Sequence, residues 1–411
     1  MREVDSYKFI LDIALILFST KFLGIATKKI KMPQVLGALI AGIIIGPCIL
    51  NLVQETEFIS QLADIGVILL MFYAGLENDL NKLKKAGKAS FWIALLGVII
   101  PLIGGYIVTS TFYKIGVFSM YEGEIAFLQK VFVGVILTAT SVSITVETLK
   151  EIGKLSSDVG NTILAAAIID DILGILALTA ITSFTDNNVN VGIVVVKILG
   201  YFVFIFMIGI LCHKSFKFWF GKNEDNKRRY TIGSLVFCLL MSYITEKVFG
   251  VAYITGAFVS GVILSSLDKK QFIAEKLDVV SYAFLSPVFF ASIGIKLVIP
   301  AINMSIIVFS IILSIVAIAT KIIGAGVGAK IFNYSNKQSA QIGIGMVCRG
   351  EVALIIANKG VDLGLIAGNL FIAILIVIIA TTVISPILLK VSFKEAEESK
   401  FYSQDKVAYK N

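Results

Sequence analysis

The stretch Leu164-Ala165-Ala166-Ala167-Ile168-Ile169-Asp170-Asp171-Ile172-Leu173-Gly174-Ile175-Leu176-Ala177-Leu178 sets two adjacent carboxylates inside an apolar run extending from Asp158 to Phe184. About 20 apolar residues in a helix cross a bilayer, so this run spans one with the acids near its centre. An ionisable group at that depth is costly and points to function by default. Ionising both acids requires a nearby cation, and neutralising both leaves hydroxyls in need of acceptors. The pair therefore reads as a proton store, a cation site, or both.

The surrounding chain fits that reading. Of its 411 residues, 57% are hydrophobic and 16% charged, and the mean hydropathy is +0.91, far from the balance of a soluble domain. This is an all-α integral membrane protein. The formal charge of +8 would suggest nucleic acid in a soluble chain. Here the basic residues fall in short loops between apolar runs, which is orientation information and excludes a nucleic-acid partner. Cys48, Cys212, Cys238, Cys348 and the single histidine, His213, are far apart. They give neither metal-ligand spacing nor a disulfide framework, and no cofactor is expected. The first apolar run lacks a small-residue cleavage site and is followed by Lys28, Lys29 and Lys31, so it reads as a retained helix.

Runs of suitable length give thirteen spans: 6–27, 33–50, 58–77, 89–112, 128–149, 158–184, 190–213, 230–248, 250–266, 278–297, 304–331, 338–358 and 365–390. Lysine and arginine concentrate in the loops after odd-numbered spans, as in Lys82, Lys84, Lys85 and Lys88, and in the tail. The positive-inside rule then places the N-terminus outside and the C-terminus in the cytoplasm of a cell membrane, which an odd number of spans requires. An internal repeat is also present. Gly37-Ala38-Leu39-Ile40-Ala41-Gly42 matches Gly256-Ala257-Phe258-Val259-Ser260-Gly261 at an offset of 219, which also superposes Gly75-Leu76-Glu77 on Gly294-Ile295-Lys296 and Gly105 on Gly324. The predicted organisation is a membrane transport domain over 1–390, with a first repeat over 1–184, a linker helix over 190–213 and a second repeat over 230–390. A short cytoplasmic tail follows over 391–411. An odd number of intervening crossings inverts one repeat relative to the other.

Further polar groups fall where lipid should exclude them. Lys21 and Lys197 are placed to snorkel. Lys321 is deeper, level with Asp171 to within about 3 Å at about 1.5 Å rise per residue, and is the natural counter-charge for the acids. The fifth span carries Thr138-Ala139-Thr140-Ser141-Val142-Ser143-Ile144-Thr145, and the twelfth carries Gly343-Ile344-Gly345-Met346-Val347-Cys348-Arg349-Gly350-Glu351. Hydroxyl clusters can simply bond back to helix carbonyls. Two such stretches at equivalent places in a repeat instead suggest broken helices, whose freed backbone groups build a carrier's ion site. Arg349 is expected to hold Glu351 or Glu147 in an ion pair. Glu77 and Asp79 read as interface residues. Gly324-Ala325-Gly326-Val327-Gly328-Ala329-Lys330 resembles a phosphate loop superficially, but it lies inside an apolar span and has no hydroxyl after the lysine.

Together these motifs, from Pro33-Gln34-Val35-Leu36-Gly37 through the paired acids to Arg349-Gly350-Glu351, resemble the monovalent cation:proton antiporters, in particular the branch of NapA-like sodium/proton exchangers and Kef-type transporters. The resemblance implies a homodimer in which each protomer has a dimerisation domain and a mobile core domain, with two broken helices crossing beside the acids. It implies that Asp171 is the principal ion-binding carboxylate, that Asp170 pairs with Lys321, and that Thr140 coordinates the ion, making Asp171 and Thr140 the sodium ligands. Thr138, Ser141, Arg349 and Glu351 support the breaks. Kef-type proteins continue into a cytoplasmic nucleotide-binding domain, whereas this sequence ends at Asn411, which disfavours a regulated potassium-efflux system. Electroneutral relatives carry Asn at the first acid, whereas Asp170 is retained here, as in electrogenic exchangers.

The expected activity is non-enzymatic: exchange of Na+, with Li+ as a possible substitute, for H+, both competing for the same carboxylates. Potassium/proton exchange on the same fold is the nearest rival, because no motif measures cavity size. A cation channel is a weaker one. An intramembrane aspartyl protease needs acids that face each other from separate helices. Adjacent residues on one helix point about 100° apart and cannot do so.

Overall fold

The computed structural model describes residues 7–30, 32–77, 80–114, 124–185, 191–221, 227–267, 269–296, 304–366 and 368–408. Every regular element among them is helical: α1 (Lys8–Lys29), α2 (Gln34–Ile45), α3 (Glu57–Glu77), α4 (Leu80–Lys114), α5 (Glu124–Thr138), α6 (Val142–Glu151), α7 (Asp158–Thr185), α8 (Val191–Gly221), α9 (Lys227–Ile244), α10 (Tyr253–Leu264), α11 (Lys270–Val280), α12 (Ser286–Ile295), α13 (Met304–Ile331), α14 (Asn336–Gly345), α15 (Glu351–Asp362) and α16 (Gly368–Ala408). In lipid a backbone must satisfy its own polar groups, which leaves helices as the economical solution for so apolar a chain. Ten helical runs among the described residues, two of them (Ile125–Glu151 and Lys270–Ile295) joining two of these helices, are long and apolar enough to cross a membrane, and the shorter apolar helices Gln34–Ile45, Tyr253–Leu264 and Val352–Val361 fall in spans two, nine and twelve.

Three spans are each built from two helices. Span five is α5 followed by α6, span twelve is α14 followed by α15, and span ten is α11 and α12 joined through a π turn, Ser281–Leu285. A second π turn, Thr245–Phe249, closes α9 and ends at Gly250 with φ 68°. The last helix does not stop near 390 but continues to Ala408.

The helices pack in two groups. α2 lies against α1 and α12, and α3 against α10 and α12, with α9 against α10. α11 joins this first group through α3 and α9. In the other group α4 packs on α5, α7 and α13, α13 on α14 and α16, and α15 on α5 and α16. α6, which continues the span of α5, packs on α7 and α16 while also meeting α2 and α3. α8 runs beside α7 and α10, between the groups. One contact of the first group is the repeat image of another. A Cβ on Gly42 would stand 2.0 Å from the Ala291 carbonyl oxygen, and one on Gly294 would be 2.7 Å from the Gly42 carbonyl carbon. On the other side, a Cβ on Gly75 would come within 2.9 Å of the Gly261 Cα, and the reverse contact is also 2.9 Å. The offset of 219 carries Gly42 to Gly261 and Gly75 to Gly294, so it exchanges the two crossings. Small residues permit this backbone approach within a membrane.

Candidate ion-binding site

The site starts where α5 fails to continue. After Thr138 the residues Ala139, Thr140 and Ser141 leave the helix, Ser141 is extended (φ −87°, ψ 102°), and α6 begins at Val142. Opposite, α14 ends at Gly345 and the chain is non-helical until α15 begins at Glu351. The breaks cross and bond to each other. The Ser141 amide donates to the Cys348 carbonyl at 2.7 Å, and the Thr140 and Thr145 hydroxyls donate to the Met346 and Gly345 carbonyls at 3.2 and 2.9 Å. Gly350 permits the approach, since a Cβ there would sit 2.8 Å from the Ser141 Oγ.

A helix end leaves carbonyls without intrahelical partners, and in lipid these need donors. Two cations supply them at the end of α5. Arg349 Nη2 donates to Leu137 O at 2.6 Å and Ala317 O at 3.1 Å, Nε to Leu137 O at 3.2 Å, and Nη1 to Val347 O at 3.0 Å. Lys321 Nζ donates to Thr138 O at 2.6 Å. A positive charge is also favoured at a helix C-terminus by the helix dipole.

Lys321 turns to the acids as well. Its Nζ lies 2.9 Å from Asp170 Oδ1 and 3.1 Å from Oδ2. The Thr140 hydroxyl is within hydrogen-bonding reach of Asp170, and Asp171 attracts the ammonium through space. Asp170 is 2% exposed, Asp171 6%, and Lys321 and Arg349 0%. Groups this close titrate as one cluster. The predicted residues Asp170, Lys321, Thr138, Thr140, Ser141 and Arg349 thus converge on one crossing, with Asp171 next to Asp170 on α7.

The expected ion pair of Arg349 with Glu147 is corrected, for among the described residues Glu147 does not meet the guanidinium. Arg349 directs its donors to main-chain carbonyls, because interrupted helices create a stronger demand for donors than a carboxylate elsewhere. The Glu351 side chain lies outside the described residues, as does Asp79. Glu77 accepts from the Tyr73 hydroxyl at 2.9 Å and from the Ser156 hydroxyl at 3.2 Å. The break carbonyls were expected to be open to a cation. Instead those of Leu137, Thr138, Gly345, Met346, Val347 and Cys348 already accept protein hydrogen bonds.

Some contributors were not anticipated. A Cβ on Gly97 of α4 would meet Lys321 Nζ at 3.8 Å and Asp170 Oδ1 at 3.9 Å. The Thr382 hydroxyl of α16 donates to the Arg349 carbonyl. Neither position carries a local motif; each matters only through which helices become neighbours.

Cavities separate the two helix groups at both ends. One of about 370 Å³ is lined by Lys21, Gln34, Tyr282 and Pro287 from the first group and by Glu147 and Glu151 from α6. At the opposite end of α12, beside Lys296, Leu354 and Ile378, the gap is about 30 Å³. The larger one lies at the helix ends that meet the lysine-rich loops.

Comparison with known proteins agrees with this architecture. Residues 14–394 match the family described as sodium/hydrogen exchanger, transmembrane. The chain is 40% identical to the Na(+)/H(+)-K(+) antiporter GerN of Bacillus cereus over 94% of its own length and 97% of the relative's. It is 35% identical to a Na(+)/H(+) antiporter of Enterococcus hirae, covering 93% and 97%. The sodium proton antiporter MjNhaP1 from Methanocaldococcus jannaschii shares the fold, with a TM-score of 0.67, 19% identity, and coverage of 93% and 96%.

Proposed function

The chain belongs to the transmembrane sodium/hydrogen exchanger family, and from that premise we propose that it exchanges Na+ for H+ across the cell membrane, with Asp171 and Thr140 receiving the sodium ion and Asp170 and Lys321 completing the proton-binding cluster. It is a transporter, not an enzyme. The observation that carries the assignment is the buried Lys321–Asp170 pair, 2.9 Å apart, at the crossing of two broken helices beside a second acid.

Sodium is a hard cation that takes oxygen ligands and must be repaid for its lost hydration by negative charge. The break carbonyls named above are engaged, so the carboxylates and the Thr140 hydroxyl carry most of that task. Protons and sodium occupy the same oxygens in turn, which couples their movements without another device. Release of more than one proton per sodium makes the cycle electrogenic.

The two helix groups act as the moving parts of alternating access. In this reading the group holding α4–α7 and α13–α16 shifts against the other as a rigid body within each protomer of a homodimer. The repeats over 1–184 and 230–390, linked by 190–213, supply the symmetry for two opposed states, and the exchanged glycine contacts support that division. The wider cavity at the lysine-rich end supports an inward-facing state, with the N-terminus outside and the 391–411 tail in the cytoplasm.

In everted vesicles holding a pH gradient, added Na+ should dissipate it, and Asp171→Asn should abolish the response. An Asp171→Asn protein that exchanges like wild type overturns the site. Potassium remains the second reading because the Bacillus cereus relative is named for both ions. Substituting Li+ or K+ for Na+ in the same assay ranks the cations.

A further inference from the structure

We propose that Glu147 forms a separate waiting site for the transported monovalent cation in the cavity on the lysine-rich side, ahead of the Asp170–Asp171 cluster; this rests on the exchange reading above. Glu147 is 5% exposed yet lines that 370 Å³ cavity. Its Oε2 is buried without a hydrogen-bond partner. A buried carboxylate oxygen in that condition needs a proton or a cation to offset its desolvation.

Among the described residues, no side chain is free to supply one. Lys150 attracts Glu147 while Glu151 and Asp278 repel its charge. Lys150 is already committed to Asp278 and stands 3.9 Å from the centroid of the Tyr73 ring. Glu151 is committed too, accepting from the Gln34 and Val35 amides at 2.7 and 3.0 Å. Lys21, the cation among the described residues that line the cavity, lies 5.8 Å from the Tyr282 ring centroid. Glu147 is therefore the acid at this cavity whose charge is left for a visitor.

Its position in the chain fits a station on the way in. Glu147 lies six residues beyond Ser141 on α6, roughly 9 Å along the helix at about 1.5 Å per residue. The same helix thus connects the cavity to the crossing that holds Thr140. A cavity of that size admits a partly hydrated ion, and a carboxylate there raises the local cation concentration.

Two measurements test this. The first is the Na+ dependence of exchange measured separately from each face, using everted and right-side-out vesicles. Glu147→Gln should raise KM about fivefold at the lysine-rich face and much less at the other. Glu147→Asp, which keeps the charge, should restore most of the difference. The second is infrared difference spectroscopy of purified protein, with and without Na+, in an Asp171→Asn background where transport is absent. A carboxylate band should still respond to Na+ and should vanish in Asp171→Asn/Glu147→Gln. Equal KM values for Glu147→Gln and wild type at the lysine-rich face, or a band that survives the double substitution, overturn the proposal. If Asp171→Asn alone is silent in transport, the main site stands regardless.

Discussion

Lys321 and Asp170 form an ion pair with both partners out of solvent, the ammonium 2.9 Å from Oδ1, and the same ammonium closes the end of α5 through Thr138 O at 2.6 Å. One side chain therefore serves charge balance and helix termination together. Any step that changes the proton content of the acid cluster is felt at the break, and any shift of the break is felt by the acids.

The first prediction follows from that double duty. Removing one partner of a buried pair leaves an uncompensated charge, at a cost of about 3–5 kcal/mol. Lys321→Ala should therefore lower the thermal stability of the detergent-solubilised protein markedly, with Asp170 and the Thr138 carbonyl both deprived of a donor. Asp170→Asn/Lys321→Gln, which removes both charges and keeps hydrogen-bonding groups, should recover most of the loss. A melting curve for Lys321→Ala that matches wild type would show that the pair has no structural share.

The positions of these two residues were legible because charge is rare in lipid and therefore conspicuous. Asp170, Asp171, Lys321 and Arg349 stand out against apolar neighbours, and helix rise alone put Lys321 level with the acids. The breaks were legible from clustered hydroxyls and glycines. What Arg349 touches was not, because its partners are the carbonyls of Leu137, Val347 and Ala317, and every residue has a carbonyl. Gly97 and Thr382 were hidden for a related reason: their importance depends on α4 and α16 becoming neighbours of the site. The apolar part of α16 was legible as span thirteen, but the helix runs on past it to Ala408, because Phe393-Lys394-Glu395-Ala396-Glu397-Glu398 is still good helix-forming sequence.

The exchanged glycine contacts give the second prediction. A methyl group at Gly42 would overlap the Ala291 carbonyl oxygen at 2.0 Å, and one at Gly261 would overlap the Phe72 carbonyl oxygen at 2.2 Å. Backbone cannot yield as a side chain end can, so Gly42→Ala and Gly261→Ala should each cost about 1–3 kcal/mol, the usual range for overpacking. Gly174→Ala is the matched control, since its Cβ would meet nothing within 4 Å. Melting temperatures of the three variants decide the matter. Similar losses at Gly42 and Gly261 with none at Gly174 fit two equivalent crossings; a loss at one alone breaks the equivalence.

The third prediction concerns the contact between the helix groups at the lysine-rich end. Pro33 precedes α2 and offers no side-chain cap, so the first amides of that helix depend on a group from elsewhere. Glu151, the last residue of α6, supplies both oxygens to the Gln34 and Val35 amides, and its negative charge also suits a helix N-terminus. This cap reaches from one helix group to the other, and the Lys150–Asp278 pair beside it does the same. Motion of one group past the other must release both contacts. Glu151→Ala should thus expose the Gln34 and Val35 amides to exchange, at a cost near that of a lost cap, about 1 kcal/mol. Hydrogen–deuterium exchange of a peptide covering the start of α2 is the measurement, with Asp278→Asn as a comparison that loosens the same boundary without freeing those amides. Faster exchange in Glu151→Ala than in Asp278→Asn supports a cap that spans the boundary; equal protection in Glu151→Ala and wild type removes it from the interface.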